Sequence, residues 1–357
     1  MKSGLSITAM AAELERQANA KRDFIAGTQQ VAIREDSSMA IVLPDTAVEF
    51  GTNAIFRRQM AEHYKIPHEY IERLRTMAAF KPLFAQTFND HLQKQPSRQM
   101  IRTLDNTARA FRSDRFRPLD NIDLAESVLP VAMDSGAELV SSQFTDSRFY
   151  MKFLFPKLEI EVKKGDVVQL GLALANSEVG MGALVVEPLI YRLVCLNGMI
   201  MPDYGHRRYH VGKKAEESEL AYEMYSNETR QLDDAALFAK IRDTVKGLLN
   251  RDVLETIVAK MRDAADQPIE GTNINGVVEV LAKKLNYGEG TKHGILKHLI
   301  MGGDLSRYGL MNAITRQSQD EDDYDVATKM EHDGARVIEL PRNDWKQIAS
   351  AALEKAA

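Results

Sequence analysis

Cysteine is almost missing from this chain: Cys195 is the single one in 357 residues. One thiol excludes an internal disulfide and any multi-cysteine zinc site within the chain, and it fits a reducing compartment. Long apolar runs are missing as well. Stretches such as Ala40 to Pro44 and Gly182 to Val186 fall far below the roughly 20 residues that cross a bilayer, so no membrane partner is expected. No apolar h-region follows Met1-Lys2-Ser3-Gly4, and the protein is expected to stay in the cytoplasm where it is made. Internal repeats and low-complexity tracts are also lacking.

The motifs of common chemistry are absent too. His206-Arg-Arg-Tyr-His210 spaces two imidazoles by four residues, but Arg207 stands where a zincin needs glutamate, and two arginines would repel a divalent cation. Gly288-Glu-Gly-Thr-Lys292 has the letters of a phosphate loop without its spacing. Cys195 sits inside the mostly apolar run Leu189 to Leu196, where alternation along a strand groups it with Tyr191 and Leu193 as a packed small hydrophobe. The carboxylates form no pair whose setting would drive two pKa values apart. No metal, cofactor or catalytic residue is therefore expected.

What remains is an ordinary globular composition, 44% hydrophobic and 27% charged, in a chain long enough for two or three cores. The net charge of −5 is unevenly spread: residues 1–98 carry +2, residues 99–214 carry +1 and residues 215–357 carry −8. An anionic partner is expected to meet the first two segments and be repelled by the third.

These three segments also differ in pattern. Residues 1–98 are expected to be mostly helical, with helices after Ser6, after Thr52 and after Ile66-Pro67, and two short strands at Met39 to Leu43 and Ala47 to Phe50. Residues 99–214 turn β-rich: a hairpin over Ile101 to Arg112 about Asp105-Asn106, a helix from Asn121 to Asp134, then runs at 138–144, 148–155, 158–162, 167–175 and 183–195, with a turn at Asn197-Gly198. Residues 215–357 are helical by spacing, apart from an acidic run Asp320 to Asp325 and a strand-like Arg336 to Leu340. The expected fold is α+β: one central antiparallel sheet with one packed helix, flanked by a mainly helical N-terminal region and a separate helical C-terminal region.

Two segments join positive charge to aromatics. Arg109-Ala-Phe-Arg-Ser-Asp-Arg-Phe-Arg117 holds Arg109, Arg112, Arg115 and Arg117, and Tyr204 to Lys214 holds Arg207, Arg208, Lys213 and Lys214 with no acid. Guanidinium forks grip phosphates and flat rings stack on bases, so these cations, with Phe116, Tyr204 and Tyr209 as stacking candidates, suit single-stranded nucleic acid. The plainer reading of the first segment puts Phe111 and Phe116 in the core and pairs the arginines with acids. Asn176-Ser-Glu-Val-Gly-Met-Gly182 could cradle an anion on its backbone amides, or simply join two strands.

The strings Arg109 to Asn121, Asn176-Ser-Glu-Val-Gly-Met-Gly-Ala-Leu184 and Tyr191-Arg-Leu-Val-Cys-Leu-Asn-Gly-Met199 resemble the phage- and plasmid-borne family called domain of unknown function 932, over about residues 99 to 201. The resemblance implies a setting in mobile elements, whose small proteins serve replication, recombination and evasion of host defence. A hairpin, a helix and antiparallel strands with basic edges are similar in outline to phage strand-annealing proteins, which bind single strands as homo-oligomers. The leading expectation is thus a single-stranded DNA binding or annealing factor. An interaction factor meeting a phage or host protein, and an enzyme of another type, stand beside it.

Overall fold

The computed structural model describes residues 2–44, 46–208 and 227–353. Residues Tyr209, Lys213 and Lys214 of the second basic segment lie outside them. The chain is α+β with two largely antiparallel sheets, which the alternation of strand-like and helical periods anticipated in class. The number and membership of the sheets differ from the expected single one.

The first sheet is built from β1 (Arg22–Gly27), β2 (Val31–Ile33), β3 (Met39–Val42), β4 (Ala47–Thr52), β5 (Arg98–Leu104) and β6 (Thr107–Ser113), in the order β1-β5-β6-β4-β3-β2. The hairpin expected in the central sheet is β5–β6, and it belongs here. Asp105 and Asn106 both take positive φ in its turn, as a two-residue primed turn requires. Its Ile101 and Phe111 face Phe56, Met60, Phe84 and Phe88 of the helices α2 (Ala54–His63), α3 (His68–Thr76) and α4 (Lys81–Lys94), so burying that apolar face commits the hairpin to the N-terminal core. The N-terminal region is correspondingly richer in strand than its composition suggested.

α1 (Ile7–Ala20), capped by the Ser6 side chain, precedes β1. After β6 comes α5 (Asn121–Asp134), which leads to the second sheet: β7 (Glu138–Phe144), β8 (Phe149–Lys163), β9 (Asp166–Asn176), β10 (Leu184–Arg192) and β11 (Asn197–Ile200) in sequential antiparallel order, with β12 (His206–Arg208) beside the start of β10. The runs expected at 148–155 and 158–162 are one strand, β8. Pro156 lacks an N–H, and the register shifts between Leu154 and Glu159 to pass it as a bulge. The turn expected at Asn197-Gly198 lies earlier, over Leu193 to Leu196, with Leu196 at positive φ. Cys195 is therefore on a turn, where its sulfur accepts a hydrogen bond from Arg192 Nη1 at 3.0 Å, and is not a strand residue beside Leu193.

Helices cover both faces of this second sheet, where one helix on one face was expected. On one face α1, α5 and α6 (Asn227–Leu248) pack on Phe149, Met151, Phe153, Leu172 and Leu174. Further along, Val168, Leu170 and Ile190 meet the C-terminal helices α7 (Arg251–Ala265), α8 (Ile274–Leu285), α9 (Glu289–Gly302) and α10 (Arg307–Gln317). Across the opposite face runs α11 (Tyr324–Glu339), which sets Glu331 against Lys152 at 2.5 Å and His332 against Glu187 at 2.7 Å. The expected strand Arg336 to Leu340 is the end of α11: Val337 and Ile338 are buried on its inner side, and that packing overrides their β-branched preference. α12 (Arg342–Ser350) closes the C-terminal core with Trp345 and Ile348. The last third therefore shares its core with the strands and is not detached from them.

Candidate nucleic-acid interface

The Asn176 to Gly182 loop, between β9 and β10, touches both sheets. Asn176 Nδ2 donates to Leu119 O at 2.7 Å and Asn121 Oδ1 at 2.8 Å. Glu178 accepts the Asn121 N–H at 2.7 Å and, on its other oxygen, Arg109 Nη2. Gln59 Nε2 donates to Val179 O at 2.7 Å while its Oε1 accepts the Phe111 N–H at 2.8 Å. Beneath these, the fully buried Arg102 donates to Asp23 at 2.9 Å, Asp120 at 2.9 Å and the Glu178 carbonyl at 2.8 Å. Burial opposes the Arg102 charge, but Asp23 and Asp120 outweigh it and raise its pKa. For Asp120 burial likewise favours the neutral form, and Arg102 with Lys21 reverses this to leave the pKa low. The loop is thus held in one conformation by charge-assisted bonds from the first sheet.

The two glycines of the loop each seat an arginine. A Cβ on Gly180, which has φ +71°, would lie 3.0 Å from Arg112 Nε and 2.9 Å from the Phe116 ring. A Cβ on Gly182 would lie 2.0 Å from Arg148 Nη2. Arg112 rests over the Phe116 ring at 5.4 Å, and among the described residues the Arg148 guanidinium donates to the Met181 carbonyl alone, at 3.5 Å. Among the described residues neither has a carboxylate within 4.0 Å. Burial lowers the Arg112 pKa, which Glu62 partly offsets from a distance, yet guanidinium stays charged at neutral pH. Two residues span at most about 7 Å of chain, so the two groups flank one short loop.

The residues expected to bind divide accordingly. Arg112 lies at the loop. Arg109 is given to Glu178, and Arg117 to Asp234 at 2.7 Å with Asp233 at 3.8 Å. Arg115 is half-buried in the turn after β6, and Phe116 is buried under Arg112. Tyr204 lies half-buried beneath the Lys260 ammonium at 4.9 Å. Arg207, 52% exposed, reaches Glu187 at 3.5 Å. β12 places Arg207 opposite Val185 and Arg208 opposite Leu184, just past the loop. Arg148 was missed because it stands alone in the sequence. The signal available was two glycines two residues apart, which can leave room on one side of a loop for large groups.

Elsewhere, a cleft of about 610 Å³ is lined by Lys163, Arg192, Cys195, His298 and Arg316, with Asp166 and Asp304 among them. Among the described residues no three His, Cys, Asp or Glu side chains converge on a metal position. No described helix is long and apolar enough to cross a membrane.

The fold and the loop define an α+β protein of two sheets joined through a polar junction, with Arg112 and Arg148 at its rim lacking a carboxylate partner among the described residues. Residues 108–236, from β6 into α6, match the family model described as Domain of unknown function (DUF932). The distinctive strings of the resemblance, around Arg109, Asn121 and Glu178, are the very residues of the junction. Comparison with curated proteins and with solved structures found no match.

Proposed function

We propose that this protein binds single-stranded DNA through its phosphates at the Gly180-Met181-Gly182 loop, as a DNA-metabolism factor of the strand-annealing or recombination kind in a mobile element. The observation that carries the reading is the pair Arg112 and Arg148, each seated on a glycine and neither neutralised by a carboxylate among the described residues. A cationic pair seated on a loop that the first sheet holds in one conformation has its anchor points pre-organised for an anion, which reduces the ordering entropy lost on binding. Arg112 is half-buried, which favours a flexible strand that can lower a phosphate to it over a rigid duplex. β12 contributes Arg207 next to the loop, and the acidic last third lends no attraction.

The test is fluorescence anisotropy with labelled single-stranded and duplex DNA, comparing wild type with an Arg112→Gln/Arg148→Gln double variant. Binding of the single strand, weakened in the variant, is expected. Absence of binding at low salt removes the reading. A protein partner would then take first place, because Tyr70, Met77, Phe80 and Leu83 are all more than 40% exposed around the α3–α4 connection.

A further inference from the structure

We propose that the uncovered half-face of the first sheet, formed by Arg98 and Met100 of β5 with Ile25 of β1, extends the Arg112 site into a platform on which the bases of the bound single strand lie. This rests on the single-strand reading and adds where the bases go and why a duplex is excluded.

The register carries the argument. Met100 stands opposite Arg112 on one side and opposite Ile25 on the other. Arg98, Met100 and Arg102 alternate onto the same face of β5, away from Ile101, which packs under the helices. The Arg102 end of that face is buried at the junction, whereas at the other end Arg98 is exposed, Met100 is half-buried and Ile25 is 52% exposed. The row Ile25, Met100, Arg112 therefore crosses three strands, each about 4.8 Å from the next. Arg98 is the diagonal neighbour of Arg112, with about 7–8 Å between their backbones, so one strand of nucleic acid can touch both guanidinium groups.

The charge is also uncompensated. Arg98, like Arg112, has no carboxylate within 4.0 Å among the described residues. Of the acids near this face, Asp23 is bound by Arg102, Glu62 is bound by Arg58 at 2.8 Å, and Asp114, just past the end of β6, lies beyond 4.0 Å from either guanidinium. Between the two cations lie a thioether and an aliphatic side chain. Such groups give nothing to a phosphate but cover the apolar face of an unpaired base. In a duplex those faces are already stacked on one another and the platform has nothing to receive.

Two probes separate the outcomes: a labelled oligothymidylate and an abasic strand of the same length. The platform predicts that wild type binds oligothymidylate roughly tenfold more tightly than the abasic strand, and that Ile25→Ser/Met100→Ser abolishes this difference while leaving abasic binding intact. Arg98→Gln should reduce the salt slope for both strands by about 0.7. Circular dichroism confirms the folded state of each variant. If wild type binds neither strand, the single-strand reading fails and the platform with it. If wild type binds both equally, and Arg112→Gln weakens binding while the Arg98, Ile25 and Met100 variants do not, the platform alone is overturned. Tighter binding to duplex than to oligothymidylate also overturns it.

Discussion

Replacing Arg102 with methionine should destabilise the protein by about 3–5 kcal/mol at pH 7, the usual cost of removing one partner from a buried ion pair. Methionine keeps most of the volume, so the cavity contribution is small. What is lost are three bonds, to Asp23, Asp120 and the Glu178 carbonyl. Asp23 is 32% exposed and regains water, which leaves Asp120 and the buried carbonyl as the main unsatisfied groups. Asp120 retains Lys21, and this keeps the loss toward the middle of the range. The sign of the pH dependence follows from the lowered Asp120 pKa: its contribution is present above the unfolded value near 3.9 and disappears as pH falls through the lower folded value. Urea unfolding followed by circular dichroism, at pH 7 and then toward pH 3, should show the wild-type advantage shrinking with acid. A loss below about 1 kcal/mol at pH 7, or one that does not change with pH, would refute a charged junction as the clasp between the two sheets.

Lys152→Met alone should cost about 3–5 kcal/mol, because it strands Glu331, which is fully buried against the sheet; Lys152→Met with Glu331→Leu should recover most of the loss in the same unfolding assay. Gly182→Ala should displace the flexible Arg148 guanidinium and weaken single-strand binding with stability changed by less than about 1 kcal/mol. Gly180→Ala should be worse for stability, by about 1–2 kcal/mol, since its positive φ is strained for any side chain and Phe116 blocks the space. Gly4→Val should free residues 2–5 from the edge of β7, because its Cβ would lie 2.2 Å from the Ser142 carbonyl, and limited proteolysis should then cut earlier at the N-terminus.

Local chemistry made much of the fold legible. Ser6 before Ile7 and the Asp105-Asn106 turn sit where their cap and turn residues put them, and the Asn121 to Asp134 helix has its expected bounds although Asp120 makes no capping bond and Glu178 accepts the Asn121 N–H instead. The strand β1 was hidden because it opens on Arg22-Asp23, whose charges mask the strand pattern, and Arg102 of the neighbouring strand meets Asp23. The turn at Leu193 to Leu196 contains no glycine, proline or asparagine, so nothing local marked it. Sheet membership of the β5–β6 hairpin was not legible because it depends on which helices bury Ile101 and Phe111. At the site, the Arg109 to Arg117 cluster was visible as composition, but its neutralising partners are remote: Glu178 is 69 residues from Arg109, and Asp234 is 117 from Arg117. Arg98, Arg102 and Arg148 were overlooked for the converse reason. Each is an isolated cation in sequence: the fold brings Arg102 and Arg148 to the loop and Arg98 to the diagonal of Arg112.

If the loop arginines meet DNA phosphates, single-strand affinity must fall with salt, and the slope of that fall is the decisive measurement. Contacts from Arg112 and Arg148 at the loop and from Arg98 beside Arg112 release about 0.7 counterion each, giving a slope of log affinity against log salt near −2, or roughly a 20-fold loss between 50 and 200 mM. The account predicts that slope for wild type and a slope shallower by about 1.4 for Arg112→Gln/Arg148→Gln. An affinity indifferent to salt, or a slope that the double variant leaves unchanged, would contradict it.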